Sequence, residues 1–396
     1  MRILISGGGT GGHIFPAVAI ANALGAILAA RGETADIRFV GALGRMEMER
    51  VPAAGYPIEG LNISGFKRGL SAKMVLQNVG VATKFVGSLW KARNIIKGFQ
   101  PDAVVGVGGY ASSAVVRVAQ SMGIPTYLQE QNSYAGITNK FLARRARRIF
   151  VAYDGMERFF PADKLLLTGN PVRKDIAELA AALHTTTTTN THSRTEAANY
   201  YHLHPDRKTI LVVGGSLGAR TLNEAIGTNA ALIAAHPNTQ ILWQTGKLYY
   251  DTYATSEAAQ LPNVHATAFL DRMELAYTLA DVIISRAGAL SISELCLVGK
   301  PALLVPSPNV AEDHQTRNAE ALSKKNAAML IKDTDARINM LSSAYLLLEE
   351  SEAKHTNTTT IHTLSTNIRR LALPNAADHI AQTILDDYDR KKHHNS

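Results

Sequence analysis

The sequence predicts two doubly wound α/β domains in tandem, each a parallel sheet with helices on both faces. Three observations support this prediction: short apolar runs alternate with longer helical patterns, glycine turns follow several of these runs, and the cycle restarts near the middle of the chain. Strands that alternate with helices favour a parallel sheet with crossover connections. The 396 residues, 46% of them hydrophobic, also exceed one ordinary domain of roughly 100 to 200 residues.

The apolar runs have the length and composition of buried strands. In the first half they are RILIS at 2–6, IRFVG at 37–41, AVVGV at 103–107, TYLQ at 126–129 and RIFVA at 148–152. In the second half they are TILVVGG at 209–215, QILWQTG at 240–246, VIIS at 282–285, ALLVP at 302–306 and AAMLI at 327–331. We therefore expect a first domain at residues 1–172 and a second at 173–372.

Two polar stretches and a last helix complete the pattern. Residues 184–208 and 354–367 are rich in threonine and lack the apolar periodicity that a packed element requires. We expect the first stretch, at about 184–207, to be a mobile surface insertion. The sequence after Pro374 predicts an amphipathic helix over residues 374–390, with an apolar face formed by Ala377, Ile380, Ile384 and Leu385.

The composition suits a protein with an anionic partner. Lys and Arg outnumber Asp and Glu by 41 to 33, a formal net charge of +8, although charge alone does not distinguish nucleic acid, acidic lipid and phosphorylated substrate. The single cysteine, Cys296, excludes an intramolecular disulfide framework and a cysteine zinc cluster, and favours a reducing compartment. The chain starts without a signal-peptide pattern and has no run of about 18 apolar residues, so we expect neither export nor membrane integration.

Glycine turns follow four of the predicted strands, at 7–12, 106–110, 214–220 and 285–294. Such turns can bind anions through main-chain amides, and ligands of open α/β sheets bind outside the carboxyl ends of the strands. Gly7, Gly9 and Gly12 fit G-x-G-x-x-G, but the second strand ends FVGALG without the acidic residue of a dinucleotide site. No loop ends in Gly-Lys-Ser/Thr, so the pattern argues against both NAD and a Walker nucleotide site.

The loop SRAGALSISE has two interpretations. In the first, Gly288 provides the turn, the amides of Ala289 and Leu290 bind phosphate, and Glu294 binds ribose hydroxyls. In the second, Ser291 and Glu294 form the S-x-x-E pattern of a capping box, in which the glutamate only satisfies a backbone donor. The segment alone does not decide between them.

His13 follows the first glycine loop at the predicted start of a helix. The helix dipole disfavours a proton on the ring there, so the neutral, basic form is populated near pH 7. This position suits a general base. The alternative is a structural or solvated histidine near a helix start.

Six motifs occur in register across the two predicted domains: GGGTGGHIFPA, GVGGYAS, QEQNSYAGITNK, GNPVR, VVGGSLGARTLN and SRAGALSISEL. Together they closely resemble the MurG family of bacterial glycosyltransferases of peptidoglycan synthesis. The resemblance covers residues 1 to about 175 and 208 to about 332. The chain departs from the family at Gln129, where histidine is frequent before the glutamate.

The resemblance implies an inverting transferase of the GT-B fold, with two Rossmann-like domains facing across a cleft and the C-terminal helix returning to the N-terminal domain. Its implied reaction moves N-acetylglucosamine from UDP-GlcNAc to the 4-hydroxyl of MurNAc-pentapeptide on undecaprenyl pyrophosphate, converting lipid I to lipid II. The implied partners are UDP-GlcNAc, lipid I and the anionic cytoplasmic face of the plasma membrane, without nucleic acid. We expect no cofactor and no strict metal requirement, because the donor-site segments contain no D-x-D motif.

The resemblance also assigns site residues by motif. In the N-terminal domain, Thr10, Gly11 and Gly12 contact the donor sugar and face the pyrophosphate, while Asn132 and Arg173 line the donor site. In the C-terminal domain, Ser216 contacts the phosphates and the backbone of Leu270 holds uracil. The loop that wraps the α-phosphate and ribose comprises Ala289, Leu290, Ser291, Ile292, Ser293 and Glu294. The remaining assignments are Gln315 on the sugar, Asn318 beside it, and Arg286 in charge neutralisation.

Residues 64–97 mix apolar and basic side chains in a way that suits docking on an anionic leaflet. The docking candidates are Phe66, Lys67, Arg68, Phe85, Leu89 and Trp90. An ordinary packed helix with a solvated basic face gives the same pattern.

Three other functions fit parts of the sequence. The nearest is another GT-B protein that uses UDP-GlcNAc, such as a diacylglycerol glycosyltransferase or a non-hydrolysing 2-epimerase, and product analysis would separate it. A regulatory module would bind UDP-GlcNAc without releasing UDP in the presence of lipid I. A nucleic-acid-binding protein would need basic clusters interleaved with aromatic residues, which the sequence lacks.

Overall fold

Two parallel sheets, each covered by helices on both faces, make up the chain. The computed structural model describes residues 1–64, 72–184, 193–215, 217–353 and 359–395. They divide into unit 1, which is Met1–Arg173 with Asn375–Ser396, and unit 2, which is Lys174–Pro374. The prediction of two doubly wound α/β domains in tandem is confirmed.

Unit 1 contains a seven-stranded sheet in the order β3-β2-β1-β4-β5-β6-β7, in which all neighbours are parallel. Its strands are β1 (Arg2–Ser6), β2 (Asp36–Ala42), β3 (Ile58–Leu61), β4 (Ala103–Gly106), β5 (Thr126–Glu130), β6 (Arg148–Val151) and β7 (Leu165–Leu167). Its first helices are α1 (Gly11–Ala30), α2 (Glu47–Ala53), α3 (Ala72–Phe99), α4 (Tyr110–Ser121) and α5 (Ile137–Ala143). Because side chains alternate along a strand, Ile3 and Ile5 of β1 pack with α1 on one face, while Leu4 packs with α3 and α4 on the other.

Unit 2 contains a six-stranded parallel sheet in the order β10-β9-β8-β11-β12-β13. Its strands are β8 (Lys208–Val213), β9 (Thr239–Gln244), β10 (Val264–Thr267), β11 (Val282–Ser285), β12 (Ala302–Leu304) and β13 (Met329–Leu330). Its helices are α6 (Lys174–His184), α7 (Arg194–Tyr200), α8 (Arg220–Gly227), α9 (Ala230–Ala234), α10 (Tyr250–Tyr253), α11 (Met273–Leu279), α12 (Ala289–Val298), α13 (His314–Ser323), α14 (Ala336–Ala353) and α15 (Thr360–Arg370). Trp243 on β9 is fully buried within its core.

The last helix, α16 (Ala376–Asn395), packs against α1 in unit 1. It buries Ile380, Ile384 and Leu385, which confirms both the predicted apolar face and the predicted return to the N-terminal domain. Helix α1 is long and apolar enough to cross a membrane by length and composition. In unit 1 it packs against both the sheet and α16, with Ile20 and Leu24 fully buried.

Three strands, β3, β7 and β10, were not predicted from the sequence. All three are edge strands of three or four residues. An edge strand is covered less completely than a central one and so needs no continuous apolar run. Strands β3 (IEGL) and β10 (VHAT) accordingly mix apolar and polar residues, whereas β7 (LLL) is apolar but too short, at three residues, to be recognised as a strand.

The expectation that the two threonine-rich stretches lack packed elements is wrong for the part that the structure describes. Residues 185–192 and 354–358 lie outside the described residues. Beyond the first gap, the Ser193 hydroxyl accepts a hydrogen bond from the Glu196 amide at 3.0 Å and caps α7, which buries Ala197 and Ala198. Beyond the second, α15 buries Leu364 and Ile368. A short capped helix can pack through two small apolar residues, which is too little to register as periodicity.

Candidate active site

Each sheet has one switch point, where the strand order reverses, and two glycine loops flank it. In unit 1 the switch lies between β1 and β4, whose carboxyl ends continue into Gly7–Gly9 and Val107–Gly109. In unit 2 it lies between β8 and β11, which continue into the loops before α8 and α12. Open α/β sheets bind ligands at such points. The four glycine turns found in the sequence therefore occupy the two ligand-binding edges.

The two glycine loops of unit 1 touch each other. A Cβ atom on Gly7 would lie 3.1 Å from the Cβ of Val107, and one on Gly109 would collide with the main chain of Gly8. Gly108, with a φ of +97°, lies against His13, because its Cβ would be 2.7 Å from the ring Cδ2. Glycine is needed there both for the positive φ and for the close approach of the imidazole.

His13 is held by its Nδ1 atom, which lies 3.1 Å from the carbonyl oxygen of Gly8 and 3.3 Å from the hydroxyl of Thr10. A carbonyl oxygen only accepts hydrogen bonds, so we assign the proton of the neutral ring to Nδ1. The lone pair is then on Nε2, the atom that a general base would use. The catalytic role of His13 stays a prediction, and this geometry is compatible with it.

Thr10, Gly11 and Gly12 form the start of α1. Thr10 is the N-cap residue with an extended backbone, and its side chain makes no capping hydrogen bond. The first amides of a helix lack intrahelical acceptors and attract anions. The three predicted residues therefore combine a hydroxyl near His13 with a helix start suited to phosphate or sugar oxygens.

Sequence reasoning missed Glu47, at the start of α2. Its carboxylate accepts hydrogen bonds from the Gly9 amide at 2.9 Å and the Ala42 amide at 3.0 Å. Only 1% of the residue is exposed. Its neighbours in sequence include a second, exposed glutamate, Glu49, so no local signal marks Glu47 as the buried one.

The EQN and GNPVR motifs meet in a buried polar network. Asn170 donates to the Gln131 carbonyl at 3.0 Å and accepts from the Gln129 side chain at 2.8 Å. Gln129, at the departure from the family pattern, thus links the two motifs. Asn132 and Arg173 are half-buried residues of these linked motifs.

Glu130 fixes the loop that carries Asn132. It accepts hydrogen bonds from the Asn132 amide at 3.2 Å, the Gly136 amide at 3.0 Å and the Asn139 side chain at 2.9 Å. Burial raises the pKa of the Glu130 carboxyl, and these hydrogen bonds oppose the rise. Glu130 therefore orients the loop.

In unit 2, the start of α12 excludes the capping-box interpretation. Gly288 is the N-cap, so Ser291 is the third helical residue and not a capping residue. The Glu294 carboxylate accepts a hydrogen bond from the Tyr277 hydroxyl at 2.9 Å. The amides of Ala289 and Leu290 open the helix, as the ligand-binding interpretation requires.

The side chains of two residues in this loop are little available for contact with a ligand. Ile292 is buried in the core, and the Ser293 hydroxyl donates to the Ala289 carbonyl at 3.0 Å. Their side chains are therefore engaged within unit 2. The Ile292 amide is also engaged, since it donates to the Gly288 carbonyl at 2.9 Å, and contact of these two residues with the donor stays a prediction.

The remaining predicted residues of unit 2 are tied to the same edge of the sheet. The Asn318 side chain donates to the Ala287 carbonyl at 3.4 Å, and the Gln315 side chain accepts from the Ser307 amide at 2.8 Å. The Leu270 amide donates to the Gln244 side chain at 2.9 Å. Ser216 lies outside the described residues.

Arg286 is joined to a residue that sequence reasoning missed, Asp333. Its guanidinium is ion-paired with the Asp333 carboxylate and donates to the Val305 carbonyl at 3.0 Å. The Thr221 hydroxyl donates to the other oxygen of Asp333 at 2.9 Å. Asp333 therefore connects Thr221 on α8, the helix after one glycine loop, to Arg286 at the start of the other glycine loop.

No group of three or more His, Cys, Asp or Glu side chains that could hold a metal ion occurs within the described ranges. The expectation about metals stays a prediction.

The docking candidates fall partly outside the described residues, which do not include Phe66, Lys67 or Arg68. Phe85 and Leu89 pack partly buried against the core of unit 1, whereas Trp90 is 71% exposed. Beside Trp90 is a cavity of about 870 Å³. Its charged lining residues are Arg38, Glu59, Lys84 and Lys91.

A second exposed apolar patch, on α5, was not predicted. Ile137 is 65% and Phe141 is 66% exposed, and the Arg117 guanidinium lies 5.9 Å from the Phe141 ring centroid. Helices α3, α4 and α5 pack against the same core on one face of the sheet. The two apolar patches therefore belong to the same helical layer of unit 1.

Comparison with known proteins gives full-length matches. The chain matches the glycosyltransferase family 28 N-terminal domain over residues 3–151 and the C-terminal domain of that family over residues 209–374. It is 52% identical over 391 residues to the UDP-N-acetylglucosamine--N-acetylmuramyl-(pentapeptide) pyrophosphoryl-undecaprenol N-acetylglucosamine transferase of Bacteroides thetaiotaomicron, with 97% of each chain covered. The protein of the same name from Cytophaga hutchinsonii is 48% identical, with 98% of each chain covered.

Solved structures share the fold. Acinetobacter baumannii MurG is similar with a TM-score of 0.72 and 27% identity, covering 97% of this chain and 99% of that one. A UDP-GlcNAc 2-epimerase from Neisseria meningitidis, solved with UDP-GlcNAc bound, has a TM-score of 0.63 and 17% identity over 98% of this chain and all of the other, and shows the fold alone. The predicted GT-B class is confirmed.

Proposed function

The chain belongs to glycosyltransferase family 28, and from this membership and the geometry of its glycine loops we infer that it converts lipid I to lipid II. It transfers N-acetylglucosamine from UDP-GlcNAc to the 4-hydroxyl of MurNAc-(pentapeptide) on pyrophosphoryl-undecaprenol. The main support is the similarity to N-acetylglucosamine transferases named for this reaction, which extends over nearly the whole of both chains. The reaction is the last cytoplasmic step in making the peptidoglycan precursor.

Unit 2 binds the donor. The amides of Ala289 and Leu290 at the start of α12 take the α-phosphate, because helix N-termini favour negative charge. Glu294, held by the Tyr277 hydroxyl, accepts hydrogen bonds from the ribose hydroxyls. The amide of Leu270 donates to Gln244, so its carbonyl is the group that suits the N3–H of uracil. Gln315 and Asn318 lie at the sugar end, with Ser216 on the phosphates.

His13 of unit 1 is the general base. As the acceptor 4-hydroxyl attacks C1 of the donor sugar, its proton moves to His13 Nε2 and a C–O bond forms with inversion at C1. The bond between C1 and the β-phosphate oxygen breaks, and its electron pair leaves with UDP. The Nδ1 hydrogen bond to Gly8 supports the tautomer that this step requires.

Main-chain dipoles stabilise the charge that grows on the leaving phosphate. The helix starts at Thr10–Gly12 and at Ala289 supply amides for this purpose. Asn132 and Arg173 add polar and positive groups, and Arg286 supports the α12 loop through its pair with Asp333. Such preorganised donors can replace the divalent cation of other transferases.

The enzyme acts as a peripheral protein on the cytoplasmic face of the bacterial plasma membrane. The helical layer of α3, α4 and α5 is the docking face, since it exposes Trp90 and Phe141 beside basic residues. Apolar residues rimmed by cations bind anionic lipid surfaces, with roughly 1 kcal/mol for each basic residue. Phe66, Lys67 and Arg68 belong to the sequence segment that precedes α3 and extend this proposal.

Vesicle sedimentation tests the docking face. We expect binding to vesicles rich in phosphatidylglycerol that is lost at high salt and weakened in a Trp90→Ala/Phe141→Ala variant. Ile338→Ala is the matched control, because Ile338 is 79% exposed on α14 of unit 2. Equal binding by the docking and control variants would remove this face from the proposal.

The reaction itself is tested by UDP release from UDP-GlcNAc in the presence of a lipid I analogue, with identification of the product. We expect a β-linked disaccharide product and much slower turnover of UDP-GalNAc. UDP-GlcNAc binding without UDP release would indicate a regulatory module, and formation of UDP-N-acetylmannosamine would indicate a non-hydrolysing epimerase.

A further inference from the structure

Glu47 and His13 bind opposite ends of the same peptide group. The Gly9 amide donates to Glu47 Oε2 at 2.9 Å, and the Gly8 carbonyl oxygen lies 3.1 Å from His13 Nδ1. The carbonyl of Gly8 and the amide of Gly9 belong to one planar peptide unit. The carboxylate and the imidazole are therefore connected through a single main-chain group.

Glu47 is fixed independently of His13. Its second carboxylate oxygen accepts a hydrogen bond from the Ala42 amide at 3.0 Å, at the end of β2. The residue is buried, and its side chain contacts Gly8 and Gly41 so closely that a Cβ on either glycine would collide with it. The sheet thus sets the position of the carboxylate, and the carboxylate in turn sets the glycine loop.

The Gly8–Gly9 peptide needs such a constraint. It joins two glycines, so a rotation that exchanges the directions of its C=O and N–H groups meets little steric resistance from side chains. The rotated peptide would point its N–H toward His13, where it would favour a lone pair on Nδ1 and a proton on Nε2. It would also place a carbonyl oxygen against the Glu47 carboxylate, which repels it.

We propose that Glu47 is a positioning residue for His13, acting through the Gly8–Gly9 peptide to keep the proton on Nδ1 and the lone pair on Nε2. The inference rests on the proposed role of His13 as general base. In other enzymes, a group that accepts a hydrogen bond from one ring nitrogen of a histidine selects the tautomer and the orientation of the ring. Here a peptide group lies between the carboxylate and the ring and transmits the orientation.

The first test is direct. Histidine ¹⁵N chemical shifts at fixed pH report the tautomer of His13, with a His13→Gln variant to assign its signals. We expect the Nδ1–H form in the wild-type protein and a mixture in Glu47→Gln, because a glutamine side chain can accept from the peptide N–H or donate to a rotated carbonyl. Glu49→Gln, an exposed glutamate on the same helix, is the control and should leave the tautomer unchanged. An unchanged tautomer in a folded Glu47→Gln protein would overturn the inference, whatever the enzyme's reaction.

The second test is a double-mutant cycle on turnover. We expect Glu47→Gln to lower kcat about 10- to 100-fold, the range that is typical when a group that orients a metal-binding side chain is replaced. The KM for UDP-GlcNAc should change less than about threefold. In a His13→Ala background the same change should cost less than about threefold, because coupled residues are not additive. Additive losses would show that Glu47 acts on folding or on the donor and not through His13.

The two tests separate the possible failures. Absence of GlcNAc transfer by the wild-type enzyme would refute the proposed function. The tautomer measurement would still decide whether Glu47 controls which nitrogen of His13 carries the proton. Transfer that survives in His13→Ala would refute both the base and its positioning residue.

Discussion

The Tyr200 hydroxyl donates to both oxygens of the Asp271 carboxylate, at 3.1 and 2.9 Å. Tyr200 ends α7, the helix beyond the threonine-rich stretch, and Asp271 follows Leu270, the residue proposed to hold uracil. The neighbouring Tyr201 hydroxyl donates to the Arg272 carbonyl at 2.7 Å. A segment that looked like an insertion in the sequence therefore supports a loop of the proposed donor site.

Removal of these two hydroxyls should weaken donor binding. We expect Tyr200→Phe/Tyr201→Phe to raise the KM for UDP-GlcNAc about 3- to 30-fold with kcat nearly unchanged, since the loop loses both hydroxyl hydrogen bonds that hold it. Steady-state kinetics and calorimetric titration with UDP measure the effect. Unaltered UDP affinity would mean that the loop keeps its conformation without these two hydroxyl hydrogen bonds.

His13→Ala should lower kcat about 100- to 10,000-fold, as expected when a general base is lost. Donor affinity should change little, because the ring is proposed to act on the acceptor proton. Single-turnover kinetics and UDP-GlcNAc titration measure the two quantities separately. Near-normal turnover would require another base.

Glu294→Gln should reduce donor affinity more than turnover. Loss of the charge weakens hydrogen bonds to the ribose hydroxyls by about 1 to 2 kcal/mol, so we expect roughly a 5- to 30-fold higher Kd for UDP. Tyr277→Phe, which removes the hydroxyl that holds Glu294, should give a smaller change of the same kind. Identical Kd values for Glu294→Gln and wild type would mean that another residue binds the ribose hydroxyls.

Turnover should persist in a chelator. If main-chain amides stabilise the leaving phosphate, EDTA should lower kcat less than about tenfold. The measurement is UDP release after dialysis against EDTA, with and without added Mg²⁺ or Mn²⁺. Complete loss that one divalent ion restores would contradict the prediction.

Asp387 should matter for the stability of unit 1. It is buried on α16 and accepts hydrogen bonds from the Tyr127 hydroxyl at 3.3 Å and Arg390 at 2.8 Å, beside Arg147. Burial and the nearby Asp387 charge raise the pKa of Tyr127, so its hydroxyl remains a donor at neutral pH. We expect Asp387→Ala to lower the free energy of unfolding by about 1 to 3 kcal/mol, since it leaves the buried Tyr127 hydroxyl without this acceptor.

Asp389→Ala is the matched control, because its pair with Arg31 is at the surface and should contribute at most about 1 kcal/mol. Urea unfolding followed by circular dichroism compares the two variants. An equal effect would show that the α16 contact depends on its apolar residues alone.

Much of the fold could be predicted because its signals are local. Buried central strands such as β1 and β8 are continuous apolar runs, and glycine turns mark their carboxyl ends. The sequence motifs alone relate His13, Asn132 and the α12 loop to the site of one glycosyltransferase family. The edge strands and the helix α7 were missed because partial burial needs only a few apolar residues.

The sequence by itself determined the two α/β units, their glycine loops and the apolar face of the last helix, since each depends on the spacing of residues along one short segment. Only the tertiary structure decided which distant groups meet there. Glu47 reaches the loop of His13 from 38 positions beyond Gly9, and Tyr200 reaches Asp271 across 71 positions. Crossover helices bring the ends of non-consecutive strands together, and periodicity along a segment carries no information about its partner across the sheet.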